Sequence, residues 1–342
     1  MKLASPPPRR ILIVRISALG DVVFCTSLLA GLRQAYPQAH IAWLLQSRWA
    51  DLLQGDARVD QLIRLPAGAT DSLAGARATH RLLRAEPRFD WVIDAQGLLK
   101  TRVLARMAPA DIRIGLRSRE PGAFLVHRLF DKGGNVDDIS SEYRDLAQQL
   151  TGQDPGPPHL QPTAEQRARA LSLLAQQGLP GPYIAFCPYT TRPQKHWMPE
   201  HWPQLAQALV PLQRGPCVIF GGPAERDDAQ LLHAQLPAGS VNLAGRTPLE
   251  LLPALLERAA LIVGVDTGLT HIGIAVQRPT LALFGSTCPY TRGADSPLRV
   301  MYDALPCAPC RRHPTCGGTW DCLRGLTPAR VAAAARELLQ HR

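Results

Sequence analysis

The heptapeptide Val265-Asp266-Thr267-Gly268-Leu269-Thr270-His271 follows directly on the apolar run Leu261-Ile262-Val263-Gly264, a pattern that reads as strand, polar turn and helix. At such a turn the free backbone N–H groups and the positive end of the helix dipole point into one crevice and suit a phosphate. Gly268 permits close backbone approach, and Asp266, Thr267, Thr270 and His271 offer polar contacts. The same residues also suit an ordinary helix start, with Asp or Thr as N-cap and His271 on the surface.

Three further turns gather reactive groups. An apolar run at residues 11–14 leads through Ser17-Ala18-Leu19-Gly20-Asp21 into a helix expected to begin near Val22. Asp21 can serve there as an N-cap, or as a general base toward a hydroxyl that Gly20 lets approach. Asp94-Ala95-Gln96-Gly97-Leu98-Leu99-Lys100 brings a carboxylate, an amide, a glycine and a cation to another strand end. Sugar hydroxyls want such mixed donors and acceptors, whereas a structural turn needs only the glycine. Thr190-Thr191-Arg192-Pro193-Gln194-Lys195 places two hydroxyls and a lysine after a strand. That set fits a pyrophosphate, or a charged surface loop. Behind residues 218–220, Glu225 can accept two hydrogen bonds from a ribose diol, or favour a helix dipole from its first turn. There is no G-x-G-x-x-G after the first strand and no Walker A sequence, which disfavours a nicotinamide enzyme or an ATPase.

Positioning these turns requires alternating strands and helices. Branched apolar runs recur at residues 11–14, 41–45, 62–65, 91–93 and 112–114, and again at 183–186, 218–220, 241–243, 261–265 and 280–284. Helices are expected at 164–177, 199–212, 225–235 and 248–260, with Pro199 and Pro248 as first-turn prolines. The breaker-rich segment 151–158 separates the two series. The alternation predicts an α/β protein of two doubly wound, Rossmann-like domains, residues 1–158 and 159–342, facing a central cleft. The C-terminal helix is a candidate to pack back on the first domain.

No run of about 18 apolar residues is available for a membrane span, and residues 11–14 are too short for a signal-peptide core, so a cytoplasmic protein is expected. The net charge is +10, and between Arg58 and Arg119 stand 12 basic and 6 acidic residues. Arg77, Arg81, Arg84 and Arg88 fall at helical spacing. That stripe suits an anionic partner, or is a solvated helix face. No aromatic-interleaved RNA motif, zinc finger or basic-region helix is present, and nucleic acid is not expected as a partner.

The blocks Ile16-Ser17-Ala18-Leu19-Gly20-Asp21-Val22, Asp94 to Lys100, Thr190-Thr191 with Lys195-His196-Trp197, and Val265 to His271 occur in one order along nearly the whole chain. In this the sequence resembles the bacterial lipopolysaccharide heptosyltransferases of glycosyltransferase family 9, most of all the type I enzymes. The resemblance implies a GT-B fold and an inverting, metal-independent transfer of L-glycero-D-manno-heptose from ADP-heptose to Kdo of Kdo-lipid A. It implies an N-terminal domain for the acceptor and a C-terminal domain for the nucleotide sugar. Asp21 then becomes the base. Thr190, Thr191, Lys195, Glu225, Asp266, Thr267, Gly268 and His271 become donor residues, with His271 adding a phosphate contact. Ser17, Gly20, Asp94, Gln96, Gly97, Lys100, Arg117 and Arg119 fall on the acceptor side, where the arginine stripe and Arg117 or Arg119 can meet lipid phosphates. No cofactor is required. Membrane contact is expected to be peripheral, on the anionic cytoplasmic face of the inner membrane. Family members acting on a later core acceptor or with another nucleotide sugar share these motifs, and a non-catalytic nucleotide-sugar-binding protein is the alternative of a different class.

Cys307, Cys310, Cys316 and Cys322 cluster with His313 between them, a spacing compatible with structural zinc or a redox pair, or with free thiols in a loop. Cys25, Cys187, Cys217 and Cys288 lie in or beside apolar stretches and read as small core residues.

Overall fold

A computed structural model describes residues 6–287, 290 and 297–340 of the chain; Cys288 lies outside the described residues. The chain divides into two compact units, one holding the residues up to Val136 together with Ser140–Pro158, the other Asp137–Ile139 together with the residues from His159 onward.

The first unit is built on β1 (Arg10–Val14), β2 (His40–Gln46), β3 (Gln61–Leu65), β4 (Phe89–Asp94), β5 (Ala110–Leu116) and β6 (Arg128–Phe130). The order across the sheet is β3-β2-β1-β4-β5-β6, with every pairing parallel. Its helices are α1 (Leu19–Ala35), α2 (Ser47–Ala50), α3 (Leu73–Ala85), α4 (Leu99–Met107) and α5 (Ser141–Thr151).

The second unit holds β7 (Tyr183–Cys187), β8 (Cys217–Ile219), β9 (Val241–Asn242), β10 (Ala259–Val265), β11 (Thr280–Phe284) and β12 (Leu298–Tyr302). Its helices are α6 (Ala164–Gln176), α7 (His201–Leu209), α8 (Arg226–His233), α9 (Leu252–Glu257), α10 (Gly268–Ala275), α11 (Asp321–Arg324) and α12 (Pro328–Gln340). The sheet runs β12-β11-β10-β7-β8-β9, again parallel throughout. Counted from β9, this is the strand order of the first sheet.

The central strands are continuous apolar runs because a parallel sheet flanked by helices is buried on both faces. Ile11 to Val14 and Tyr183 to Cys187 are all at most 1% exposed. In each sheet the connections reverse direction between the first and fourth strands, β1/β4 and β7/β10. Loops leaving the carboxyl ends of those strands diverge and open a crevice. The sequence motifs with reactive groups follow these four strands.

Several expectations are corrected. The edge strands β6 and β12 were not foreseen. The segment expected as one helix at 199–212 is α7 followed by a 3-10 turn, Val210–Leu212, and Pro199 precedes it. Pro248 precedes a 3-10 turn, Leu249–Leu251, and Pro253 is the proline in the first turn of α9. Arg88 lies beyond α3 and pairs with Asp111, so the helical stripe is Arg77, Arg81 and Arg84. The apolar face of α12, Val331, Ala332, Ala334 and Ala335, is buried in the second unit's core beside Trp202 and Leu205 of α7.

Candidate functional site

At the β7/β10 crevice four side chains form a connected set. Lys195 Nζ lies 2.5 Å from Asp266 Oδ2, and His271 Nε2 lies 3.2 Å from Asp266 Oδ1. On the far side of the ring, His271 Nδ1 and the Tyr290 hydroxyl lie 2.7 Å apart. Burial opposes ionisation of Asp266, but the hydrogen bond and charge of His271 and the charge of Lys195 outweigh it and hold the carboxyl well below the usual range. Tyr290 is shifted the other way, well above the usual phenol range, by burial and by the nearby Asp266 charge. Thr190 Oγ1 donates to the Asp266 carbonyl at 3.2 Å, and His196 Nε2 donates to the Thr190 carbonyl at 2.7 Å. The turns after β7 and β10 are thereby tied together.

Thr267 occupies the N-cap position of α10, but its side chain makes no capping hydrogen bond. The amides of the helix start therefore remain open to an anion. Thr270 Oγ1 instead donates to the Val265 carbonyl at 2.7 Å. A Cβ at Gly264 would fall 2.1 Å from that hydroxyl oxygen and 2.8 Å from the Cys187 Cβ, so only glycine lets α10 begin this close to β7 and β10. His271 is 5% exposed, with both ring nitrogens committed, and not a surface residue. Its expected phosphate contact is replaced by a hold on Asp266. Thr191 is exposed. Glu225 ends a 3-10 turn, Pro223–Glu225, just past β8, with its amide donating to the Gly222 carbonyl at 3.2 Å.

At the β1/β4 crevice, α1 begins at Leu19 rather than near Val22. Asp21 is thus not the N-cap: it lies in the first turn, and its Oδ2 accepts the Ala18 N–H at 3.1 Å and pairs with Arg15 at 2.8 Å. Oδ1 has no partner among the described residues, and the Asp21 side chain is 42% exposed against 9% for Arg15. The Arg15 guanidinium lies over the Tyr143 ring, 5.7 Å from its centroid. A buried cation therefore grips one oxygen of a carboxylate whose other oxygen faces out. Ser17 and Gly20 are half-buried beside it.

Asp94 departs from its expected acceptor contact. It is fully buried, and its Oδ1 accepts the amides of Gln96 and Gly97, both at 3.1 Å. Burial raises its carboxyl, against the hydrogen bonds of that turn. It shapes the turn and presents no atom to a substrate. Gln96, also buried, accepts the Ile16 N–H at 3.1 Å and joins the β4 turn to the β1 turn. Gly97 has φ of +72°, a conformation that favours glycine. Lys100 and Arg119 are exposed without an ion pair among the described residues, and Arg117 pairs with Asp131 at 2.5 Å.

Sequence reasoning missed Arg15, Tyr290 and Arg102. Arg102 is 1% exposed and donates to the carbonyls of Glu120, Pro121 and Leu116 and to Ser118 Oγ. It organises the loop that carries Arg117 and Arg119. No single motif marks them: Arg15 reaches Asp21 in the first turn of the following helix, while Arg102 and Tyr290 act on partners farther along the chain.

The zinc expectation is overturned. Among the described residues no group of three His, Cys, Asp or Glu is arranged to hold a metal ion. Cys322 is buried in the second core while Cys307 is exposed. Cys25, Cys187 and Cys217 are buried, and burial raises their thiols, that of Cys217 to about 12.

The profile of glycosyltransferase family 9 (heptosyltransferase) matches residues 76–320. The chain belongs to glycosyltransferase family 9. Lipopolysaccharide heptosyltransferase 1 of Pseudomonas aeruginosa is 30% identical over 320 residues, 90% of this chain and 87% of its own length. Lipopolysaccharide heptosyltransferase 2 of Salmonella typhimurium is 28% identical over 357 residues, 96% of this chain and 98% of its own. The solved structure of the E. coli heptosyltransferase WaaC with ADP superposes with a TM-score of 0.73 at 26% identity, covering 96% of this chain and 99% of that one. This family 9 member is a lipopolysaccharide heptosyltransferase with the α/β architecture of the GT-B class. No helix among its described residues is long and apolar enough to cross a membrane.

Proposed function

We propose that the enzyme moves L-glycero-D-manno-heptose from ADP-heptose to a hydroxyl of Kdo on Kdo-lipid A, with inversion. The observation that carries this reading is Asp21, held through Oδ2 by Ala18 N–H and Arg15 with Oδ1 open. Oδ1 takes the proton of the Kdo hydroxyl as that oxygen attacks the anomeric carbon. The bond from that carbon to the diphosphate breaks, and ADP leaves with the electron pair. Lys195, the hydroxyls of Thr190 and Thr191, and the amides of Thr267 and Gly268 stabilise the growing charge. These groups supply the positive potential that the leaving diphosphate needs, so the reading requires no metal. Glu225 holds the ribose, while His271 and Tyr290 fix Asp266, which in turn aims Lys195. Ser17, Gly20, Gln96, Gly97, Lys100, Arg117 and Arg119 serve the acceptor, with Asp94 shaping their turn. The enzyme works at the cytoplasmic face of the inner membrane, on a membrane lipid.

The similarity to heptosyltransferase 1 relatives and to a structure solved with ADP supports this reading. The comparable match to heptosyltransferase 2 favours a second one, in which the acceptor already carries a heptose. Incubation with ADP-heptose and either Kdo-lipid A or its monoheptosylated form, read by product mass, separates them. One heptose added only to Kdo-lipid A is the expected outcome; addition only to the heptosylated lipid establishes the second reading.

A further inference from the structure

Two donors meet on one oxygen of the Asp21 carboxylate. The Ala18 N–H reaches Oδ2 at 3.1 Å, and an Arg15 guanidinium nitrogen reaches the same atom at 2.8 Å. A single donor would leave the last torsion of the side chain loose, because such sp³–sp² torsions have broad wells. The second donor narrows that freedom and with it the direction of Oδ1.

Arg15 is itself braced. Its carbonyl accepts the indole N–H of the buried Trp43 on β2 at 3.1 Å, its Nη1 donates to the Ala95 carbonyl after β4 at 3.4 Å, and its guanidinium lies over the Tyr143 ring of α5. Glu142, the other acid beside it, pairs with Lys132 at 3.1 Å, so the charge of Arg15 is left to Asp21. Tyr143 is buried, and its hydroxyl has no hydrogen-bond partner among the described residues. An unsatisfied buried hydroxyl costs stability, so what this position uses is the ring face under the cation and not the hydroxyl. A planar guanidinium lies against a ring and reaches a carboxylate with its edge at once; an ammonium lacks the plane for both.

On the reading that Asp21 is the base, we infer that Arg15, braced by the Tyr143 ring, is a positioning residue that acts through Asp21 by aiming Oδ1. Steady-state kinetics with ADP-heptose and whichever of Kdo-lipid A and its monoheptosylated form accepts heptose test it. Arg15→Met should lower kcat about 100-fold, the cost of misplacing a reacting group by roughly 1 Å, with both KM values and ADP affinity kept. In an Asp21→Asn background the same change should cost less than about twofold, because the carboxylate it aims is gone. Arg15→Lys keeps a charged donor and should recover kcat in part. Tyr143→Leu should lower kcat about tenfold, within the range of a desolvated cation–π contact, and Tyr143→Phe, which keeps the ring, should restore it. A parent-like Arg15→Met, or an equal loss in the parent and Asp21→Asn backgrounds, overturns the positioning role. A Tyr143→Phe variant as slow as Tyr143→Leu overturns the brace. Asp21→Asn with parent activity would instead remove the base reading itself, whereas an inactive Asp21→Asn beside a fully active Arg15→Met removes the positioning role alone.

Discussion

Asp94 and Asp266 stand at the carboxyl ends of corresponding strands in two sheets of one strand order, and their environments push them in opposite directions. Asp94 is fully buried with only backbone amides on Oδ1, and burial raises its carboxyl. Asp266 is also largely covered, but Lys195 and His271 face it and hold its carboxyl low. Topology thus supplies the position, and the neighbouring turn decides what the carboxylate does. In the first unit that turn brings Asp21, an acid with an open oxygen; in the second it brings Lys195, a cation. The same crevice therefore presents a proton acceptor in one unit and an anion site in the other.

The largest expected effect removes the first half of this contrast. Asp21→Asn keeps an oxygen to accept the Ala18 N–H, so the start of α1 is preserved, but the amide cannot take a proton. The kcat should fall by about 10²–10⁴-fold, with ADP affinity unchanged in calorimetry. A matching loss of ADP affinity would show that Asp21 acts only as a structural residue of α1.

Lys195→Met attacks the second half. It removes the cation and leaves the Asp266 charge facing the incoming diphosphate with only His271 beside it. ADP affinity should fall by about 1.5–3 kcal/mol, the range for a hydrogen bond to a charged group. Calorimetric affinity equal to that of the parent enzyme would take Lys195 out of the donor site.

How much of this was legible in the sequence depends on where the partners lie. The eight central strands show as apolar runs because both faces of a parallel sheet are covered, and the edge strands β3 and β9 keep enough apolar residues to show as well. The edge strands β6 and β12 are partly exposed and interrupted by arginine, so no run marks them. Asp21 was visible as a residue of a helix start, but its first-turn placement depends on the Ala18 N–H and on Arg15, and the buried Tyr143 beneath that arginine is far along the chain. Asp94 and Asp266 each precede a glycine-bearing turn and look alike as sequence. What separates them is Lys195 and His271 on one side and an enclosed pair of amides on the other. The cysteines mislead for the same reason: their spacing suits zinc, but packing takes Cys322 into the core.

That separation can be measured as two stability profiles of opposite sign, read from chemical unfolding between neutral and acid pH. The folded Asp266 carboxyl lies below its unfolded value of about 3.9. As pH falls, the unfolded chain binds its proton first, so the stabilisation is complete above the ordinary carboxylate range and is lost below it. Asp266→Asn should therefore cost about 1–3 kcal/mol at neutral pH, a deficit that shrinks below about pH 4. The folded Asp94 carboxyl lies above its unfolded value. As pH rises, the unfolded chain loses its proton first, and the parent protein loses stability until the folded group has also ionised. Asn at position 94 keeps the acceptor oxygen for Gln96 and Gly97 and cannot ionise. Its neutral-pH stability should therefore equal the parent's or exceed it by up to about 1 kcal/mol. Two deficits of the same sign and size would mean that Asp94 is paired like Asp266, and that the two crevices do not differ in the way their carboxylates are held.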